Sequence, residues 1–206
     1  MRVIAGSAGG ITLRIPKTEL RPTMDLVRSA IFSSLGDAVS GASVLDLFAG
    51  TGSIGIEALS RGAASATLVE ADRKACSVIA ENLSRTRLQA RVVCNDVFCF
   101  LKSKPSHEPV DLVFADPPYS KKTGDRDFSL ELLRNPNLPL LLRDGGVFIL
   151  EVAQKWLFPE NAGWSCVRRK RYGSTETLFL IHDNGTRAHP PGENVLEDGG
   201  TSLEPA

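Results

Sequence analysis

The 206 residues read as an α/β protein built on a mostly parallel, doubly wound sheet, and three observations carry that reading. Short apolar runs of strand length alternate with segments whose apolar residues recur at helical spacing. The run Val44–Leu47 passes through a turn containing Gly50, Gly52 and Gly55 and resumes at helical spacing with Ile54, Ala58 and Leu59, a strand–turn–helix passage. Near the end, Trp164–Tyr172 and Thr175–Ile181 are separated by Gly173-Ser174 alone, a hairpin signal that ends the sheet antiparallel.

In chain order, residues 1–20 form an N-terminal extension in which Arg2–Ala5 and Ile11–Ile15 flank a glycine-rich turn, predicting a β-hairpin. A helix follows Arg21-Pro22, with Thr23 as N-cap and Leu26, Val27, Ala30 and Ile31 as its apolar stripe. Ala66–Val69 is a second buried strand ended by Glu70, Arg73–Arg85 a helix, and Arg91–Cys94 a third strand ended by Asn95-Asp96. Val97–Lys102 predicts a short helix and Asp111–Ala115 a fourth strand. An apolar helix is expected over Phe128–Leu142, interrupted by Pro136 and Pro139; Asp144-Gly145-Gly146 then turns into a fifth strand, Val147–Glu151. Residues 21–182 make the main domain. From Asp183 to Ala206, seven Gly or Pro among 24 residues and little apolar content predict a disordered acidic tail.

Bases and acids balance at 24 each, but the tail holds five of the acids and one base. The preceding 182 residues therefore carry 23 bases and 19 acids, a modest positive excess that admits an anionic partner. Cys76, Cys94, Cys99 and Cys166 contain no C-x-x-C pair, which argues against zinc and for buried free thiols in a reducing compartment. With no apolar leader and no stretch of spanning length, the expectation is a cytoplasmic protein with no membrane partner and no metal.

Gly50, Gly52 and Gly55 give G-x-G-x-x-G in the context where such a turn brings backbone N–H groups close to a ligand. Glu70, twenty residues after Gly50, is placed to accept the hydroxyls of a ribose. A nicotinamide and S-adenosylmethionine fit this pattern equally. The fourth strand ends in Asp116-Pro117-Pro118-Tyr119, at the same sheet edge. Prolines carry no N–H, so this turn offers acceptors only, held by the fixed proline φ. It suits a planar amine, whose N–H groups donate to Asp116 and a backbone carbonyl while Tyr119 stacks on the ring.

Asp46, Gly50-x-Gly52, Glu70, Asp96 and Asp116–Tyr119, in that order, resemble the class I S-adenosylmethionine-dependent amino-methyltransferases. More narrowly, Arg2-Val3-Ile4-Ala5-Gly6, Arg21-Pro22-Thr23-x-Asp25-x-Val27-Arg28, Leu45–Gly50-x-Gly52 and Tyr172-Gly173-x-Thr175 resemble the RsmD family, which methylates the N2 amine of a guanine in bacterial 16S ribosomal RNA. The resemblance covers residues 1–182. It implies a Rossmann-like class I methyltransferase fold: a seven-stranded, mostly parallel sheet with an antiparallel last strand, plus the N-terminal hairpin. It also implies S-adenosyl-L-methionine as cofactor and 16S rRNA or an assembling small ribosomal subunit as partner of a monomeric enzyme. Asp116, Pro117, Pro118 and Tyr119 become the catalytic turn. Asp46, Phe48, Gly50, Thr51, Gly52, Glu70, Ala71, Asp96 and Val97 fall at the cofactor, with Glu70 on the ribose and Asp96 on the adenine amine. Asp46 and Asp96 also suit structural roles, as loop organiser and helix N-cap. Arg2, Arg14, Arg21, Arg28, Arg168 and Arg169 are the basic candidates for RNA.

The chain departs from the family where Ser7–Gly10 is neutral rather than basic, and where Leu26 and Ser29 replace a base and an acid. The competing readings are an adenine-N6 or protein-glutamine methyltransferase, a nicotinamide oxidoreductase and a non-catalytic RNA-binding module.

Overall fold

The computed structural model describes residues 1–15, 23–102, 108–119, 124–160 and 162–183. Helix and strand alternate as α1 (Thr23–Leu35), β1 (Ser43–Leu47), α2 (Ser53–Ser60), β2 (Ser65–Glu70), α3 (Arg73–Thr86), β3 (Arg91–Cys94), α4 (Val97–Lys102), β4 (Val110–Ala115), α5 (Phe128–Leu133), β5 (Leu142–Ala153), β6 (Trp164–Tyr172) and β7 (Thr175–His182). The strands lie in the order β3-β2-β1-β4-β5-β7-β6. The first five pair in parallel, and β7 pairs antiparallel with both β5 and β6, so β7 alone runs against the rest. The strand order reverses between β1 and β4, which opens a crevice above their carboxyl ends.

Alternation along the strands divides the core into two layers. Val44, Leu68, Leu112, Phe114, Ile149 and Phe179 face α1, α2 and α3, meeting Phe32, Ile56 and Ile79. Leu45, Leu47, Val69, Val113, Leu150 and Leu178 face α4 and α5, meeting Phe100, Leu101 and Leu132. Each such fully buried side chain contributes about 1.5–3 kcal/mol over its exposed state. Helix starts are set locally: the Asp72 carboxylate accepts from Lys74 N–H at 2.8 Å ahead of α3, and Asp127 from Leu130 N–H at 3.0 Å ahead of α5.

Two expectations are corrected. The apolar helix expected over Phe128–Leu142 ends at Leu133. A 3-10 turn over Pro139–Leu141 follows, and β5 already starts at Leu142, running through Asp144-Gly145-Gly146 with a register shift against β4. Prolines 136 and 139 cannot donate to a helix, and Asn135 folds its side chain onto Asn137 N–H at 2.9 Å, so a turn forms instead. The thiols are free, but Cys94, Cys99 and Cys166 are exposed and Cys76 is half-buried. Cys94 and Cys166 lie on the two edge strands, where side chains find solvent.

The N-terminal extension forms the expected hairpin: Arg2 and Thr12 make an antiparallel bridge, and Val3 N–H donates to the Ile11 carbonyl at 2.9 Å, Gly10 N–H to the Val3 carbonyl at 2.8 Å and Leu13 N–H to the Met1 carbonyl at 3.2 Å. Its backbone is also held by α2. The fully buried Glu57 carboxylate accepts from Ile4 N–H (2.7 Å), Ala5 N–H (3.1 Å) and Arg61 Nε (2.7 Å). Gly6 sits at φ +84° so close to Ser60 that a Cβ would lie 1.7 Å from the Ser60 carbonyl oxygen. Residues 16–22 and 184–206, including Arg21 and the expected tail, lie outside the described residues. No helix among the described residues is long and apolar enough to cross a membrane.

Candidate active site

The β1–α2 turn opens the crevice. A Cβ on Gly52 would stand 3.0 Å from a Leu68 methyl and 3.2 Å from Ile79, and one on Gly55 3.0 Å from Leu68. These two glycines let α2 pack on β2. Gly50 is different: at φ +54° a Cβ there meets nothing within 4 Å, so its backbone faces open space. Phe48, at φ +61°, is a non-glycine residue in the left-handed region, a conformation that costs on the order of 1–3 kcal/mol and persists where neighbours enforce it. Its ring packs on Phe128 (centroids 5.9 Å) and Phe98 (6.4 Å), and the Arg126 guanidinium lies over Phe98 and Phe128.

The Glu70 carboxylate accepts from Gly50 N–H and from Asp72 N–H, both at 2.8 Å. Two backbone donors thus fix its orientation, and each oxygen retains a lone pair for a ligand hydroxyl. Ala71 is exposed beside it. Asp46 is 3% exposed and accepts from Gly55 N–H at 3.1 Å, which ties β1 to the first turn of α2. Burial pushes its carboxyl up to about 7, aided by the charges of Asp116 and Glu70. Thr51 is buried, its carbonyl accepting from Asn82 Nδ2 at 3.0 Å; Asn82 also bonds both backbone groups of Arg14. Asp96 caps α4, Oδ1 accepting from Cys99 N–H at 2.9 Å, and Val97 is buried behind it.

Register carries the site across the sheet. Leu47 pairs with Val69 and Ala115, and Ala115 with Leu150, so Glu70, Asp116 and Glu151 all stand one residue beyond paired positions. Alternation turns Asp46, Glu70, Asp116 and Glu151 to the same face, a row of carboxylates along the carboxyl edge. Asp116 and Pro118 are exposed while Pro117 is buried. The Tyr119 hydroxyl donates to Glu151 Oε1 at 3.1 Å and lies 3.2 Å from Thr175 Oγ1. Burial raises the Tyr119 phenol well above its usual range, and the charges of Glu151 and Asp116 push the same way, so it stays a donor. Sequence reasoning missed Glu151 and Thr175 as the anchors of Tyr119, and the Phe98–Phe128–Arg126 cluster. The signal for Glu151 was present: the apolar run Val147–Leu150 closes on an acid, just as acids end or follow β2 and β4.

The basic candidates divide. Arg28, expected at the RNA, is 3% exposed: it donates to the Arg2 carbonyl and to Asp25 (3.0 Å), and its Nε stands 3.7 Å from Glu57 Oε2. Burial lowers its pKa against the pull of Glu57 and Asp25. It is a structural cation, because the buried face of α1, formed by Val27, Ile31, Phe32 and Leu35, carries it inward, whereas Leu26, expected on that face, is exposed. Arg168 is half-buried, donating to the Ser34 carbonyl at 2.9 Å and lying over Phe179. Arg2 is exposed; Arg14 pairs with Glu81 at the surface, and exposed Arg169 stands 3.5 Å from the buried Glu176 carboxylate. No three His, Cys, Asp or Glu side chains among the described residues are arranged to hold a metal.

A sheet of this order with one reversed strand, carrying an acceptor-only turn at β4 beside a glycine turn at β1, defines a class I S-adenosylmethionine-dependent methyltransferase. The open backbone at Gly50 and the doubly oriented Glu70 fit that cofactor. The family model described as Conserved hypothetical protein 95 matches residues 1–181, and the chain belongs to this family, the RsmD family. It is 35% identical over 175 residues to Ribosomal RNA small subunit methyltransferase D of Escherichia coli K12, covering 84% of this chain and 85% of that protein. Identity is 36% over 180 residues to the Bacillus subtilis protein described as "Putative rRNA methyltransferase YlbH", covering 85% and 95%. The solved structure described as "Putative methyltransferase yhhF from Escherichia coli" superposes with a TM-score of 0.74 at 35% identity, covering 89% of this chain and 98% of that one.

Proposed function

We propose that this protein methylates the exocyclic N2 amine of a guanine in 16S ribosomal RNA, acting as a monomer on the RNA or the assembling small subunit. The observation that carries the reading is the turn Asp116-Pro117-Pro118-Tyr119, which presents acceptors without donors at the carboxyl end of β4, beside the cofactor crevice. The relatives named as ribosomal RNA methyltransferases support the substrate class.

S-adenosylmethionine, when bound, supplies a methyl group already activated on a sulfonium. Glu70 would hold its ribose, Asp96 Oδ2 its adenine amine, and the Gly50–Gly52 backbone its methionine end. The protein's task is then alignment. A guanine N2 amine is a poor nucleophile because its lone pair delocalises into the ring. Asp116 and the Pro117 carbonyl accept its two N–H bonds, favour a pyramidal nitrogen and free that lone pair; Asp116 afterwards accepts the released proton. The tethered Tyr119 ring offers a stacking face, worth about 1–3 kcal/mol per base, against the few kcal/mol that extruding the base costs.

The test is tritium transfer from labelled cofactor to small subunits lacking base modification, followed by nucleoside analysis. N2-methylguanosine is expected. N6-methyladenosine, or label on ribosomal protein alone, overturns the assignment.

A further inference from the structure

Glu151 ends the row of edge carboxylates, beside the Asp116–Tyr119 turn. Because Ala115 pairs with Leu150, Asp116 and Glu151 are neighbours across parallel strands and point to one face, their backbones about 4.8 Å apart. The Tyr119 hydroxyl links them to the stacking ring: it donates to Glu151 Oε1 at 3.1 Å and feels the charge of both carboxylates. Thr175 holds that hydroxyl from the other side at 3.2 Å. Glu151 thus lies beside both the stacking ring and the amine acceptor.

We propose that Glu151 determines base specificity by accepting the N1–H of guanine while Asp116 and the Pro117 carbonyl take the N2 amine. The inference rests on the guanine-N2 reading above. Guanine presents adjacent donors at N1 and N2, so a pair of acceptors matches it. Adenine presents a lone pair at N1, which a carboxylate repels. An unmatched buried polar group is expensive, which is why sites built around one hydrogen bond discriminate strongly.

The experiment compares guanine with 2-aminopurine, which keeps the 2-amine but carries a lone pair at N1, placed at the methylated position of 16S RNA in reconstituted small subunits. The native protein is expected to favour guanine by about 10²-fold or more in kcat/KM. Glu151→Gln, whose amide can donate to that lone pair, is expected to shrink the ratio to about tenfold or less. Tyr119→Phe removes the tether but leaves the carboxylate, so it keeps the native ratio whatever its rate. S-adenosylhomocysteine titration should show unchanged cofactor affinity in both variants. If Glu151→Gln fails to fold, Glu151→Ala replaces it: guanine turnover must fall while 2-aminopurine turnover does not. An unchanged ratio in Glu151→Gln, or the same loss in Tyr119→Phe, overturns the role of Glu151 and leaves the guanine reading standing. Absence of N2-methylguanosine from the native reaction overturns the guanine reading itself.

Discussion

Asp116 and Asp46 are both acids at the end of a strand, yet they meet opposite environments. Asp116 is exposed at the mouth of the crevice, and Asp116→Ala is expected to abolish methyl transfer while leaving S-adenosylhomocysteine affinity within about twofold by calorimetry. A parallel loss of cofactor affinity would refute its role as amine acceptor. Asp46 is buried with a single backbone donor, and its carboxyl titrates at about 7 instead of 3.8. The native state therefore holds a proton that the unfolded chain releases at lower pH, so stability falls as pH rises from about 4 to about 7. Asp46→Asn keeps an acceptor for Gly55 N–H and removes the charge. Urea unfolding should show it more stable than the native protein at pH 8, by at most about 4 kcal/mol, and nearly equal at pH 4.

Helix α2 joins two functions at the scale of elements. Its first turn carries Gly55 against β2, and its last turns carry Glu57 and Ser60 under the N-terminal extension. Removing the Glu57 charge takes from buried Arg28 one of its two counter-ions and leaves only the half-exposed Asp25, a change of the kind that typically costs about 3–5 kcal/mol. Glu57→Gln is thus expected to lower the midpoint of thermal unfolding by about 10 °C. Gly55→Ala would press a Cβ onto Leu68 and lift α2 from the sheet. A cost of about 1–3 kcal/mol is expected, together with weaker S-adenosylhomocysteine binding, because the same helix start carries the cofactor turn. Calorimetry on Gly55→Ala tests that coupling; unchanged affinity would separate the helix packing from the turn.

Over the whole molecule, the positive excess of residues 1–182 is available only where it is exposed. Arg28 and Arg168 drop out, leaving Lys170 and Arg171 on the edge strand β6, with Arg2, Arg14 and Arg169. Strand β6 ends at Tyr172, opposite the Thr175 that holds Tyr119, so its basic edge leads to the Asp116–Tyr119 turn. RNA affinity should fall with salt, and the double variant Lys170→Ala, Arg171→Ala should flatten the log–log slope by about 1–2. Filter binding across salt concentrations measures this, and an unaltered slope would remove β6 from the interface.

Periodicity and glycine placement are local properties, so the strands, α3, α4 and the final hairpin were legible in the residues themselves. So was the position of the Gly50–Gly55 and Asp116–Tyr119 turns after β1 and β4, because each is spelled by a few consecutive residues. The proline-broken stretch after Phe128 was misread because apolar content alone does not separate a helix from a turn leading into a strand. Arg28 read as a surface cation because Glu57, the buried one of its two counter-ions, lies 29 residues away and meets it only when α1 docks on α2. Glu151 and Tyr119 are 32 residues apart, and only the sheet register sets them side by side. The sequence determined which groups could do chemistry; long-range pairing decided which of them face the crevice and which are spent inside the fold.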